Sequence, residues 1–215
     1  MRPVAGKLIL AAFVLGAATV PGFAPFYLYP LPIITVAAFA IVLMRAASTR
    51  QAAAVGFAFG LGLLVTGASW AYVSLHVYGG MPVPLAALST LIFNSLYAVC
   101  PAVAGAIFHR LSVRADLKLL LLFPALLALS DWARGWLFTG FPWLALGYSQ
   151  APSGPLAGYS ALLGVYGVSL VTTMTAACMA LIYLRMFGEH AEFDGGGSDK
   201  PVSYTHLTLP TMIIR

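Results

Sequence analysis

Asp131 and Arg134 are the residues whose types and spacing best suit chemistry in this chain. They stand three positions apart in the run Leu119–Phe138, which carries no other charge. Positions i and i+3 share a face of a helix, so the carboxylate and the guanidinium would be neighbours. Counted from Leu119 at 1.5 Å per residue, they lie ~18 and ~22 Å along the run. That is the far half of a membrane-sized helix, where an ionisable group is costly and marks function by default. Two readings compete. In one, the pair neutralises itself and Arg134 snorkels to the headgroups. In the other, Arg134 grips a lipid phosphate or orders the loop that follows it.

Other polar residues suit blander roles. Asn94, in the middle of an apolar run, fits a hydrogen bond between helices. His76 sits among aromatics at the end of a run and reads as interfacial. His109 adjoins Arg110 in a basic connection and reads as solvated. Cys100 and Cys178 both lie inside apolar runs, where cysteine is a small packing residue, and no disulfide framework or zinc spacing is present. G-x-S-x-G, H-E-x-x-H and Gly-rich phosphate-loop patterns are absent from the sequence. No catalytic residue, metal site or cofactor is expected within these residues.

The elements that must position the pair follow from composition. Of the 215 residues, 61% are hydrophobic and 8% charged, and the mean hydropathy is +0.93. A soluble domain is about 25% charged, so lipid must be the solvent for most of this chain. A span takes roughly 20 apolar residues, which leaves room for about six. The expected fold is all-α, a polytopic membrane helix bundle. Helices are expected over Leu8–Val20, Leu28–Met44, Ala52–His76, Val83–Phe108, Leu119–Phe138 and Ala161–Leu184. The first run has a basic start like a signal peptide, but apolar character continues through Phe23, Phe26 and Leu28, so it reads as a span.

Charge placement gives an orientation. Arg2 and Lys7 precede the first helix, Arg45 and Arg50 follow the second, Arg110, Arg114 and Lys118 follow the fourth, and Arg185 follows the sixth. The connections at 21–30, 77–82 and 139–160 have no Lys, Arg, Asp or Glu. The positive-inside rule puts the N-terminus and the basic loops in the cytoplasm. It also excludes nucleic acid as the reason for the net charge of +5, since the cations are dispersed between apolar runs. Aromatics at Trp70, Tyr72, Tyr78, Trp136, Phe138, Phe141, Trp143 and Tyr148 mark the opposite boundary. Gly56 and Gly60, extended by Ala52, and the Ser169, Thr173, Ala177 stripe are small-residue surfaces for close helix packing.

Residues 1–187 thus read as a six-helix membrane domain. Residues 188–201, rich in Gly and acids, read as a polar cytoplasmic linker. Residues 202–215 have no helical period and read as a non-native tail.

Several motifs add a family. Gly22-Phe23-Ala24-Pro25-Phe26 follows the first run and Gly79-Gly80-Met81-Pro82 the third. Asp131-Trp132-Ala133-Arg134-Gly135-Trp136, Thr139-Gly140-Phe141-Pro142-Trp143 and Gly147-Tyr148-Ser149-Gln150 close the fifth. In this order, residues 1–187 resemble the membrane domain of bacterial apolipoprotein N-acyltransferases. The resemblance implies an eight-helix inner-membrane enzyme with a periplasmic nitrilase-like domain between helices seven and eight. A Glu-Lys-Cys triad there takes an acyl chain from a phospholipid donor as a thioester. It passes the chain to the N-terminal amine of a diacylglyceryl-cysteine lipoprotein. No residue of this chain matches that triad, so the chain alone is expected to be inactive. The candidate lipid-binding residues are Asp131, Arg134, Phe141, Trp143, Tyr148 and Gln150. The alternative is a polytopic transporter or lipid-handling scaffold, with Asn94, Asp131 and Arg134 lining one interior path.

Overall fold

The computed structural model describes residues 2–152 and 154–187, and among them every regular element is helical. The six longest are α1 (Arg2–Thr19), α2 (Pro30–Met44), α3 (Thr49–Gly67), α4 (Val83–Arg110), α5 (Phe123–Arg134) and α6 (Ser160–Phe187). Four helical stretches are long and apolar enough to cross a membrane: Ala5–Gly22, Thr49–Gly67, Val83–Arg110 and Ala157–Phe187. α2 is apolar but has 15 residues. The expected linker 188–201 and tail 202–215 lie outside the described residues.

Several helix ends differ from expectation, each for a local reason. α3 starts at Thr49 because Ser48 is extended (φ −155°) and its side chain accepts a hydrogen bond from the Gln51 amide at 3.2 Å, an N-cap. It stops at Gly67, well short of His76. A one-turn helix, Trp70–Val73, and a π-helical turn, Ser74–Tyr78, follow. The fifth helical run starts early, at Ala115–Leu117, and passes through a π-helical turn, Lys118–Leu122, before α5. Pro124 lies in the first turn of α5 and has no N–H to give to a carbonyl four residues back, which suits a wider turn just before it. α5 ends at Arg134, not Phe138: Trp136 already leaves the helical region at φ −123°, and Phe138, Thr139 and Gly140 follow with φ of 51°, 78° and 86°. In that left-handed region a helix cannot continue. The Phe141 amide instead folds back onto the Arg134 carbonyl at 2.7 Å. In α6, Gly164 at φ 65° breaks the first turn from the rest.

α3 is the centre of the bundle and the glycines show why. A Cβ on Gly56 would lie 2.2 Å from the Pro101 carbonyl oxygen of α4, and one on Gly60 would lie 2.3 Å from the Pro101 ring. The Gly56/Gly60 pair therefore makes the recess that receives a proline-bearing turn. On its other side α3 meets α1 just as closely, through Gly16 and Gly62. The interior divides in two. One cluster holds Phe39, stacked on Phe59 with ring centres 4.0 Å apart, with Phe108 and Phe123. The other, nearer the 139–160 loop, joins Phe23, Leu63, Leu64, Tyr97, Phe141 and Leu144.

Candidate functional site: a buried ion pair under an aromatic loop

Asp131 and Arg134 sit one turn apart on α5 and are 5% and 3% exposed. Arg134 Nη2 donates to Asp131 Oδ1. The pair neutralises itself, but the guanidinium points inward and does not snorkel outward. Its other donors hold the loop: Nη1 donates to the Trp143 carbonyl at 3.0 Å and Nη2 to the Leu144 carbonyl at 3.3 Å. The second Asp131 oxygen accepts from the Leu146 amide at 2.8 Å and from the Ser169 hydroxyl at 2.9 Å. Ser169 in turn accepts from the Gly147 amide at 2.8 Å. A buried ion pair needs hydrogen bonds beyond the pair itself, and here the loop carbonyls accept two from the guanidinium while the loop and α6 donate two to the second carboxylate oxygen. The charges therefore join α5, α6 and the loop into one unit.

Close approach completes the joint. A Cβ on Gly147 would lie 2.1 Å from the Val165 carbonyl oxygen, and a Cβ on Gly67 would lie 2.5 Å from the Leu144 side chain. At Gly147 the contact is with backbone, so only glycine lets the loop lie this close to α6. From α4, Tyr97 donates to the Phe138 carbonyl at 3.1 Å. Gln150 is fully buried and donates through Nε2 to the Tyr29 carbonyl at 3.2 Å, tying the loop to the α1–α2 connection.

The six candidate residues therefore occupy different positions. Asp131, Arg134 and Gln150 are buried and hold backbone. Phe141 is buried between Phe93, at 4.9 Å, and Trp143, stacked at 5.8 Å. Trp143 and Tyr148 are 55% and 48% exposed and look out from the loop. Trp70 leans on Trp143 with ring centres 5.8 Å apart. Neither Tyr97 nor the two-sided role of Ser169 is legible in the sequence. Ser169 stood out as a small residue, and nothing in its spacing tied it to a carboxylate 38 positions away.

Asn94 does not bridge helices. Its Nδ2 donates within α4 to the Thr90 carbonyl at 2.9 Å. His109 is not merely solvated, because its Nδ1 lies 3.2 Å from the Thr49 hydroxyl. His76 Nδ1 lies 2.8 Å from the Met81 carbonyl, with the ring against Tyr72. Among the described residues no cluster of metal-ligating side chains occurs.

Two hollows adjoin the ion pair. Between α3, α4 and α5 is a cavity of about 20 Å³ bordered by Ser130, Asp131 and Arg134, room for about one water and too small for a conduit. Outside it, between α4 and α5, a side-open apolar groove of about 270 Å³ runs from Leu137 and Phe138 under the loop down to Ile107, past Cys100.

Membrane-capable helices, an internally neutralised charge pair and a braced aromatic loop define a helical membrane protein. Its matches are specific. The model of the apolipoprotein N-acyltransferase N-terminal domain covers residues 15–178. The chain is 49% identical over 172 residues to the apolipoprotein N-acyltransferase of Nitrosomonas europaea, covering 80% of this chain and 35% of that protein. For the Chromobacterium violaceum protein of the same name the identity is 40% over 175 residues, with 81% and 34% covered. For the Shewanella oneidensis protein it is 39% over 187 residues, with 84% and 35% covered. The chain belongs to the apolipoprotein N-acyltransferase family, matching its N-terminal domain. It spans about a third of the length of these relatives.

Proposed function

We propose that residues 1–187 are the membrane part of an apolipoprotein N-acyltransferase in the bacterial inner membrane, with the N-terminus in the cytoplasm. In this reading α2 and the continuous helical run 115–134 also cross, making six spans. The run has the length that a ~30 Å hydrocarbon core needs. The 139–160 loop then lies at the periplasmic interface. There it forms a floor on which a phospholipid acyl donor and a diacylglyceryl lipoprotein reach a nucleophile carried elsewhere in the full-length enzyme. The observation that carries this is the division of labour at the loop. Asp131 and Arg134 hold its backbone, which leaves Trp143 and Tyr148 presented outward. The side-open groove beneath it supports a lipid-facing site, and the one-water cavity does not support the transporter alternative.

The test uses a full-length enzyme carrying this domain. Trp143→Ala and Tyr148→Ala are expected to leave membrane levels unchanged and to slow thioester formation from phospholipid about tenfold, a loss of ~1.4 kcal/mol. Acyl transfer from a preformed thioester is expected to change less. Normal rates in both half-reactions would reduce the loop to an interfacial anchor.

Orientation is tested separately. Reporters fused after Arg45, Lys118 and Arg185 are expected to read cytoplasmic, and fusions at Gly80 and Gly154 periplasmic. A periplasmic signal at Lys118 would remove the six-span arrangement.

A further inference from the structure

A second feature lies at the opposite end of the bundle from the loop. α1 and α3 cross tightly at one place. A Cβ on Gly16 would lie 2.0 Å from the Phe59 carbonyl oxygen, and one on Gly62 would lie 2.1 Å from that of Phe13. N-terminal to that crossing, a Cβ on Gly6 would meet nothing within 4 Å. Beside it runs an open apolar groove of about 690 Å³, lined by Leu10 and Phe13 of α1, Ala54 and Phe57 of α3, and Ala102 of α4.

Two cations flank its open end. Lys7 precedes Leu10 by three positions and Arg50 precedes Ala54 by four, so each shares a helix face with a wall residue. Both are exposed. Among the described residues the acids are Asp116 and Asp131, and these pair with Arg185 and Arg134. Neither Lys7 nor Arg50 has an acidic partner there. The distances also fit a lipid. Lys7 to Gly16 and Arg50 to Phe59 are each ~14 Å along their helices, about half of a ~30 Å hydrocarbon core. The groove is one leaflet deep, reaching to the level of the glycine crossing, with the two cations at the headgroup level.

We propose that this groove binds one anionic phospholipid of the bilayer, with an acyl chain between α1 and α3 and the phosphate between Lys7 and Arg50. The site rests on the chain spanning a membrane and is independent of the acyl-transfer reading.

The test is native mass spectrometry of the purified chain in detergent, titrated with phosphatidylglycerol or phosphatidylcholine. Phosphatidylglycerol is expected to bind about twenty- to thirtyfold tighter. Each of Lys7→Gln and Arg50→Gln should weaken it about fivefold, and the pair about twenty- to thirtyfold, to the phosphatidylcholine level. Ala54→Phe and, from the other wall, Gly6→Leu should each remove one bound lipid of either class. Phosphatidylglycerol binding unchanged in the double variant would overturn the site, as would a full lipid count in both groove-filling variants or a dimer in place of the lipid adduct. Alkaline washing of membranes separates the two levels. Release of the parent chain would overturn the membrane reading and the site with it. Retention with unchanged lipid selectivity in the double variant would overturn the site alone.

Discussion

Arg134→Met is expected to destabilise the domain by about 3–5 kcal/mol, because it leaves the buried Asp131 carboxyl without its partner. For a domain of this size each kcal/mol moves the melting temperature by ~2–4 °C, so a drop on the order of 10 °C in detergent is expected. Part of that loss is electrostatic and part is the loop. Arg134→Lys separates them. Its ammonium restores a positive charge beside Asp131, but it is a compact point donor and cannot reproduce the planar fork that reaches Asp131 and the Trp143 and Leu144 carbonyls together. It should recover part of the stability and leave the loop loose, read as faster proteolysis between Gly140 and Gly154. Ser169→Ala, which removes one of the hydrogen bonds to Asp131, should cost less, about 1–3 kcal/mol. A melting temperature within 2 °C of the parent for Arg134→Met would show that the pair does not hold the domain together.

The second large effect is at the α1–α3 crossing. Gly16→Ala and Gly62→Ala each push a methyl group into the backbone of the facing helix, at 2.0 and 2.1 Å from a carbonyl oxygen. Backbone cannot rotate aside as a side chain can, so the helices must separate, and each variant should cost about 1–3 kcal/mol or more. The double variant should cost less than the sum, because the separation forced by the first methyl makes room for the second and neighbouring sites do not add. Gly6→Ala is the internal control. Its Cβ meets open space, so only helix propensity acts, and a gain of roughly 0.5–1 kcal/mol is expected. Thermal unfolding of the parent and the four variants in one detergent reads all of this. Equal stability of Gly6→Ala and Gly16→Ala would mean that the close crossing is not present in the folded protein.

Much of this protein is written along the chain. Apolar runs against 8% charge require lipid or an equivalent apolar solvent. The cations fall between alternate runs, and the Asp131–Arg134 spacing places a carboxylate and a guanidinium on one helix face. These are local properties, set by composition and by the 3.6-residue period, and folding did not alter them. The small-residue surface at Gly56 and Gly60 was legible for the same reason, although its partner, Pro101, was not.

Tertiary structure decided what the charges do. From sequence alone Arg134 was as free to turn to headgroups as to the loop, because a one-dimensional pattern does not say which side of a helix end is occupied. The choice follows from Phe138, Thr139 and Gly140 taking left-handed backbone angles, which bring the Trp143 and Leu144 carbonyls over the guanidinium. Asp131 meets Leu146 and Ser169 at separations of 15 and 38 residues, and Gln150 meets Tyr29 at 121. The close crossing of α1 and α3 likewise depends on Gly16 facing the Phe59 carbonyl and Gly62 facing that of Phe13. Such contacts exist only once helices are packed. Their strength comes from burial, which makes an unpaired charge or amide costly enough to fix the loop in one place.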